Sequence, residues 1–269
     1  MSGARMLGRR CLIVGGTGGI GLATARRFLD EGATVVLSGL VSKDLSSLGL
    51  ADRVSQSVGD VSKSGEAARV VAEAIAFLGG RLDVLVHVAG ISGRSLGDGP
   101  LHECSDAGWD RVLNVNAGGT FATNRAALRV MLTQDLDSEG LRGSIVNVGS
   151  VLSESPSPIL FGTVAYAASK GAVRSLTLAS AARYAADGVR FNLVEPGLID
   201  TPMAARAVSD PTIRAYLAEK QPIRGGPGSA EDVAEAILFL SESASRFLTG
   251  VVLNVDGGWS VSEGTGRNS

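Results

Sequence analysis

Cys11-Leu-Ile-Val-Gly15-Gly-Thr-Gly-Gly-Ile-Gly21 is a short apolar run that breaks at once into glycines. Leu22 to Glu31 then reads as a helix, stopped by Gly32. Strand, glycine turn and helix, in that order, form the context in which a loop takes a dinucleotide. The pyrophosphate sits on the helix N-terminus, where free N–H groups and the helix dipole favour an anion. In that reading Gly15 allows the tight turn, Gly19 lets the backbone approach the pyrophosphate, and Gly21 lets the helix pack closely on the strand. Thr17, Gly18 and Ile20 complete the loop.

Outward from this loop the chain alternates strands and helices. Ala33 to Leu37 is a second strand ending in Ser38-Gly39-Leu40, where the adenosine ribose is expected. A carboxylate there would bind the ribose 2′-hydroxyl and an arginine would favour a 2′-phosphate. Gly39 and Leu40 supply neither, and the nearest cation, Lys43, reads as a solvated surface lysine. The expected cofactor is NAD or NADP, with a slight lean to NADP. Val54 to Val58 leads into Gly59-Asp60-Val61, a helix covers Ser64 to Leu78, and Asp83 to Val88 runs into Ala89-Gly90. Residues 91–108 are irregular, and one long helix is expected over Trp109 to Gln134, with Asn114 and Asn116 near its middle. Gly143 to Gly149 is a strand that delivers Ser150, and residues 151–164 loop over the site. A helix from Val164 stops at Gly188, and Val189 to Val194 is a strand closed by Glu195-Pro196-Gly197. Residues 198–226, with three prolines, are expected to form a substrate lid. Ser229-Ala-Glu-Asp232 is a capping box, and Val251 to Val255 is the last strand.

This order predicts an α/β fold: a single-domain Rossmann-type, doubly wound sheet of about seven parallel strands with helices on both faces. One domain is expected over residues 1–269, with 1–8 and 260–269 as loose tails.

Tyr166-Ala-Ala-Ser-Lys170 places a phenol and an ammonium on one helix face, one turn apart. A neighbouring cation favours the phenolate, so the pKa of Tyr166 is expected to fall, making it a general acid/base tuned by Lys170. Ser150, at a strand end where parallel sheets bind ligands, is expected beside it. Tyr216-Leu-Ala-Glu-Lys220 repeats the spacing with no such strand nearby and reads as a chance pair on a surface helix.

Composition narrows the classes. Hydrophobic residues make up 45% and charged residues 19% of the 269, which suits a globular enzyme with a sizeable core. A net charge of −2 gives no basic footprint for nucleic acid or an anionic membrane. Two cysteines cannot build a disulfide framework, and no Cys/His group has metal-ligand spacing, so no metal is expected. No stretch reads as a signal peptide or a membrane span, and a cytoplasmic protein is expected.

Together these residues resemble the short-chain dehydrogenase/reductase family over nearly the whole chain. Gly15, Gly19, Ile20 and Gly21 match its cofactor loop, and Asp60-Val61 the pair whose carboxylate binds adenine. Ala89-Gly90 matches the end of its Asn-Asn-Ala-Gly signature, and Asn116, Ser150, Tyr166 and Lys170 its catalytic tetrad. Pro196, Gly197, Ile199 and Thr201 lie in the segment that holds the nicotinamide carboxamide. Val14 stands where the family has Thr, and His87-Val88 where it has Asn-Asn; His87 is read as a replacement for a structural hydrogen bond. The resemblance implies hydride transfer between a nicotinamide and a secondary alcohol or ketone. Tyr166 exchanges the proton, Lys170 holds the ribose, Ser150 bonds the substrate oxygen, and Asn116 anchors a relay water. It also implies a small-molecule substrate and a homotetramer or homodimer. A cofactor-binding sensor without catalysis and a halohydrin-dehalogenase-like lyase are the alternatives.

Overall fold

The structure, a computed structural model, describes residues 4–49 and 52–263. The expected tails at 1–3 and 264–269 lie outside the described residues. Seven parallel strands form one sheet in the order β3-β2-β1-β4-β5-β6-β7. The strands are β1 (Arg10–Val14), β2 (Thr34–Gly39), β3 (Val54–Val58), β4 (Val84–His87), β5 (Gly143–Val148), β6 (Val189–Pro196) and β7 (Val252–Val255). The helices are α1 (Gly19–Asp30), α2 (Glu66–Phe77), α3 (Asp106–Leu113), α4 (Gly119–Met131), α5 (Val164–Tyr184), α6 (Ala205–Ser209), α7 (Pro211–Lys220) and α8 (Ala230–Ser241).

Side chains alternate across a strand, so β1 feeds two cores. Cys11 and Ile13 pack with Phe28, Leu29, Ile237 and Leu238 of α1 and α8. Leu12 and Val14 pack on the other face with Val70, Val71, Leu128 and Met131 of α2 and α4. Covering both faces leaves only the strand ends open to a ligand. The chain changes direction between β1 and β4, which pair with each other, and the C-terminal ends of β1, β4 and β5 converge there.

Three expectations need correcting. Residues 4–8 are packed rather than loose: Met6 is fully buried, its N–H donates to Glu31 O at 3.0 Å, and Arg5 pairs with Glu242 at 2.5 Å. The long helix expected over 109–134 is two helices joined by a π-helical turn, Asn114–Gly118. It coincides with a long-range tie: Asn116 is bonded sideways to Ile91 and Ser169, as described below. Third, Tyr216 is not on a bare surface helix. It is half-buried in an aromatic cluster, its ring centroid 6.5 Å from that of Phe161 and 5.5 Å from that of Trp259. Lys220 turns away from it and donates to Ser262 O.

Among the described residues, no helix is long and apolar enough to cross a membrane.

Candidate active site

The glycine loop begins where β1 ends. Gly15 has φ +83°, and a Cβ on it would stand 2.6 Å from Ala89 N, so only glycine lets the β1 turn lie against the β4 turn. Val88 N and Ala89 N both donate to Val14 O, at 2.8 and 3.0 Å, and fix that approach. At Gly21 a Cβ would lie 2.1 Å from Gly15 O, so α1 can start only because this position has no side chain. α1 begins at Gly19, earlier than the sequence suggests. Gly18 is its N-cap and makes no side-chain cap, and the first turn holds no acidic residue. The first N–H groups of α1 are therefore left to an outside acceptor. This uncapped helix end beside a glycine cradle fits the diphosphate of a dinucleotide.

A cleft of about 690 Å³ opens over these strand ends. Its walls include Gly15, Gly18, Gly19, Ile20, Ala89, Gly90, Ser150, Tyr166, Lys170, Pro196, Gly197, Ile199 and Thr201, all singled out from the sequence. Thr201 faces the loop directly: its Cγ2 lies 3.2 Å from where a Cβ on Gly19 would stand. Thr17, Gly21, Gly39, Leu40, Asp60, Val61 and Asn116 do not line the cleft. Gly39 pairs with Val58 at the ends of β2 and β3, which puts Gly39, Leu40 and Asp60 on one sheet shoulder. Asp60 accepts from Ser62 Oγ at 2.6 Å and from Ser62 N at 3.1 Å, which keeps its carboxyl below its usual range. Lys43 does more than the sequence suggests: its Nζ donates to Thr17 O at 2.8 Å, across the glycine loop.

Ser150 leaves β5 in extended conformation, is 7% exposed and caps the 3-10 turn Val151–Ser153. Its Oγ accepts from Leu152 N at 3.2 Å, and both Ser150 and Tyr166 line the cleft. With the backbone as donor, the serine proton is free for the tyrosine oxygen or a substrate oxygen. Ser153, three residues on, is committed elsewhere: its Oγ donates to the buried Glu195 at 2.6 Å, which also takes Arg174 Nη1 at 2.8 Å.

The expected fall in the Tyr166 pKa does not occur in this arrangement. Burial of the phenol raises it, and the Ser150 hydrogen bond only partly offsets this. Lys170 Nζ lies 5.7 Å from the centre of the tyrosine ring and donates to Val148 O at 2.9 Å. Burial lowers the pKa of Lys170 itself, to about 8. Tyr166 is thus held protonated at neutral pH.

Asn116 is buried and its side chain is fully used. Oδ1 accepts from Ile91 N at 2.8 Å, and Nδ2 donates to Ile91 O at 3.0 Å and Ser169 Oγ at 2.9 Å. Ser169 Oγ donates in turn to Tyr166 O at 2.7 Å. Asn116 therefore ties the segment after β4 to the tyrosine's helix, and its displacement opens the π turn. Gly90 lies close against this pair: a Cβ there would sit 3.1 Å from Asn116 Oδ1 and 3.5 Å from Lys170 Nζ.

His87 is buried, and its Nδ1 lies 2.7 Å from Thr123 Oγ1. That hydroxyl donates to Gly119 O at 2.6 Å, so Nδ1 carries the proton. Burial drops the pKa to about 3, and among the described residues Nε2 has no hydrogen-bond partner. His87 ties β4 to α4, which is a structural role.

One site residue is missed by the sequence reading. Asp98, in the irregular stretch, is 5% exposed and accepts from Ala165 N and Tyr166 N, both at 2.9 Å. Thr163, the N-cap of α5, makes no side-chain cap, so Asp98 caps that helix from 68 residues away. No local spacing could reveal this.

Comparison with known proteins agrees with the geometry. A family profile described as enoyl-(acyl carrier protein) reductase matches residues 15–260. The chain is similar to 2-(S)-hydroxypropyl-CoM dehydrogenase 3 of Xanthobacter autotrophicus, 38% identical over 255 residues, 91% of this chain and 94% of the relative. A 3-oxoacyl-acyl-carrier-protein reductase of Thermotoga maritima is 37% identical over 259 residues, 94% of this chain and 98% of the relative. Among solved structures, a short-chain type dehydrogenase/reductase from Mycobacterium ulcerans superposes with a TM-score of 0.84 at 30% identity, covering 96% of this chain and 91% of that one. A glycine cradle on an uncapped helix, facing a Ser150–Tyr166–Lys170 wall and matched by such relatives, places this chain in the short-chain dehydrogenase/reductase family.

Proposed function

We propose that this chain is a single-domain NAD(P)-dependent oxidoreductase that interconverts a secondary alcohol and a ketone, with Tyr166 as the proton carrier. The observation that carries the reading is the shared cleft, where the glycine loop faces Ser150, Tyr166 and Lys170. Gly15, Gly18, Gly19 and Ile20 would hold the diphosphate, Thr17 and Gly21 shape that loop, and Asp60 with Val61 would meet the adenine. Ala89, Gly90, Pro196, Gly197, Ile199 and Thr201 would frame the nicotinamide. The nicotinamide, when bound, gives or takes the hydride.

In the reducing direction Tyr166 Oη donates its proton to the carbonyl oxygen, and Ser150 Oγ donates a hydrogen bond to the same oxygen as charge develops there. The raised tyrosine pKa suits a proton donor at neutral pH. Lys170, with one N–H spent on Val148 O, has further N–H groups for the ribose hydroxyls. Asn116 keeps α5, and with it Tyr166, at a fixed distance from the β4 turn. The backbone carbonyl of Asn116 takes Thr120 Oγ1 at 2.6 Å and the Gly119 N–H. Residues 198–226, carrying α6 and α7 above the cleft, act as the lid.

The lean to NADP rests on Lys43, whose ammonium lies on the glycine loop, and on the lack of a carboxylate at Gly39 and Leu40. The exposed Ala172, Leu178 and Ala179 of α5 and Phe121 of α4 support a homotetramer or homodimer. Two free cysteines fit a reducing cytoplasm. The relatives named as a dehydrogenase and a reductase favour redox chemistry over a lyase or a silent sensor.

A panel of ketones and secondary alcohols, read by cofactor absorbance with NADH and NADPH in parallel, tests this. Turnover of at least one pair, with NADPH preferred by no more than about tenfold, is expected. No turnover of any carbonyl would sink the oxidoreductase reading. A preference for NADH beyond about a hundredfold would sink the cofactor assignment alone.

A further inference from the structure

The cleft has a charge pattern that proton and hydride transfer do not use. Its charged lining consists of Arg94, Lys170 and Arg206, with no aspartate or glutamate, in a chain of net charge −2. Lys170 is buried beside Tyr166 and bonded to Val148. The two arginines lie elsewhere. Arg94 opens the 3-10 turn Arg94–Leu96 after β4, and Arg206 belongs to α6, after β6. Neither is on the glycine loop. Both are exposed, so they stand at the opening of the cleft. Arg94 Nη2 donates to Leu160 O at 3.1 Å, which holds the guanidinium against the 151–163 loop and leaves most of its donors free. Among the described residues, neither arginine has a carboxylate partner. Most other arginines near an acidic side chain are paired, such as Arg174 with Glu154 and Glu195 and Arg224 with Asp232. Much of the remaining wall is apolar, with Leu152, Phe161, Met203 and Trp259.

A guanidinium is a planar fork that suits a carboxylate, sulfonate or phosphate. Two such forks without a carboxylate partner among the described residues, on two separate segments lining one largely apolar cleft, offer donors to an anion. We propose that the substrate bears an anionic group remote from its reacting carbon, joined to it by an apolar chain, and that Arg94 and Arg206 clamp that group. This deepens the redox reading above and rests on it. The apolar wall takes the chain, and Ser150 and Tyr166 take the carbonyl.

The test uses the full-length enzyme with NADPH and keto acids of increasing chain length, starting from levulinate, each paired with its methyl ester. The pairs share a carbonyl and differ in charge. For at least one length, kcat/KM for the acid should exceed that for the ester by about tenfold or more, about 1.4 kcal/mol. Arg94→Gln and Arg206→Gln should each lower the acid-to-ester ratio by several-fold, and the double variant should bring it near unity. Taking the ratio cancels any shared loss in cofactor binding or folding. Equal rates for acid and ester at every length would overturn the proposal. So would an unchanged ratio with weakened NADPH binding, which would assign the arginines to the cofactor's phosphates. If none of these compounds is reduced, the oxidoreductase reading is judged by the wider ketone and alcohol panel above. The clamp is then decided by binding of levulinate against methyl levulinate to the NADPH-loaded enzyme, read by the fluorescence of Trp259 in the cleft wall. Tighter binding of the acid, lost in the double variant, supports the clamp, and equal binding overturns it.

Discussion

Ser150 and Ser153 stand three residues apart, and their partners separate them. Ser150 takes a backbone donor and keeps its proton for the cleft it lines, whereas Ser153 spends its proton on Glu195. Ser150→Ala should therefore lower kcat by about a hundredfold, the usual cost of removing a donor to a developing oxyanion. Ser153→Ala should cost stability more than rate; steady-state kinetics and a thermal melt on both variants would expose the reverse ranking. The sequence favours Ser150 because it directly follows a strand. It could not show the tyrosine's pKa. Spacing says that a lysine is near, but only packing says that burial outweighs it. His87 is the second residue whose environment decides its charge. An unfolded histidine takes its proton near its ordinary 6.5, while this one does so near 3. Between those values the unfolded chain binds the extra proton, so stability is lost as pH falls through that window. His87→Asn should reduce the loss between pH 7 and about pH 5 by about 2 kcal/mol in chemical denaturation at the two pH values. An unchanged acid limb would mean that the histidine is not held neutral.

At the scale of elements, α5 depends on a cap that is not its own. Asp98 supplies acceptors to Ala165 N and Tyr166 N, so the helix that carries the tyrosine starts from the irregular segment after β4. Asp98→Ala should cost about 1–2 kcal/mol, as the loss of a helix cap does, and should also lower kcat because Tyr166 N is one of the freed groups. Asp98→Asn, which keeps an acceptor, should recover much of both; equal damage from the two variants would deny the capping role. Strands and helices with strong apolar periodicity are legible in the sequence, and all seven strands fall where that pattern puts them. What escapes is set by side chains acting over long sequence distances. The π turn at Asn114–Gly118 arises because Asn116 bonds Ile91 and Ser169, and the composition of the helix has no sign of it. The N-terminal segment reads as loose because most of its residues are small and polar, yet buried Met6 and the Arg5–Glu242 pair hold it in place. Tyr216 looked like a surface residue because its partners, Phe161 and Trp259, lie 55 and 43 positions away.

Over the whole molecule, the sheet order brings the glycine loop, Ser150, Tyr166, Lys170 and part of the 198–226 segment together at the strand ends. Both sheet faces are then occupied by helices, and α4 and α5 present the exposed Phe121, Ala172, Leu178 and Ala179 outward. Exposed apolar side chains on adjacent helices favour self-association. Light scattering at micromolar concentration should give a dimer or tetramer, and Leu178→Lys should shift it toward smaller species. A monomeric wild type would remove this part of the account. Assembly was expected from the resemblance to the family. The residues that face outward are known only once the register of α5 is fixed by Val173, Thr177 and Ala181 on its buried side.

The central claim is that the proton passes through Tyr166, and the second Tyr/Lys pair provides an internal control. Tyr166→Phe removes one hydroxyl from the cleft wall, and Tyr216→Phe removes one from the aromatic cluster behind it. With saturating NADPH and an accepted ketone, Tyr166→Phe should lower kcat by about two to four orders of magnitude with an unchanged thermal melt. Tyr216→Phe should change KM by no more than about tenfold and leave kcat near wild type. A Tyr166→Phe enzyme that keeps most of its kcat, beside a Tyr216→Phe enzyme that loses it, would contradict the account.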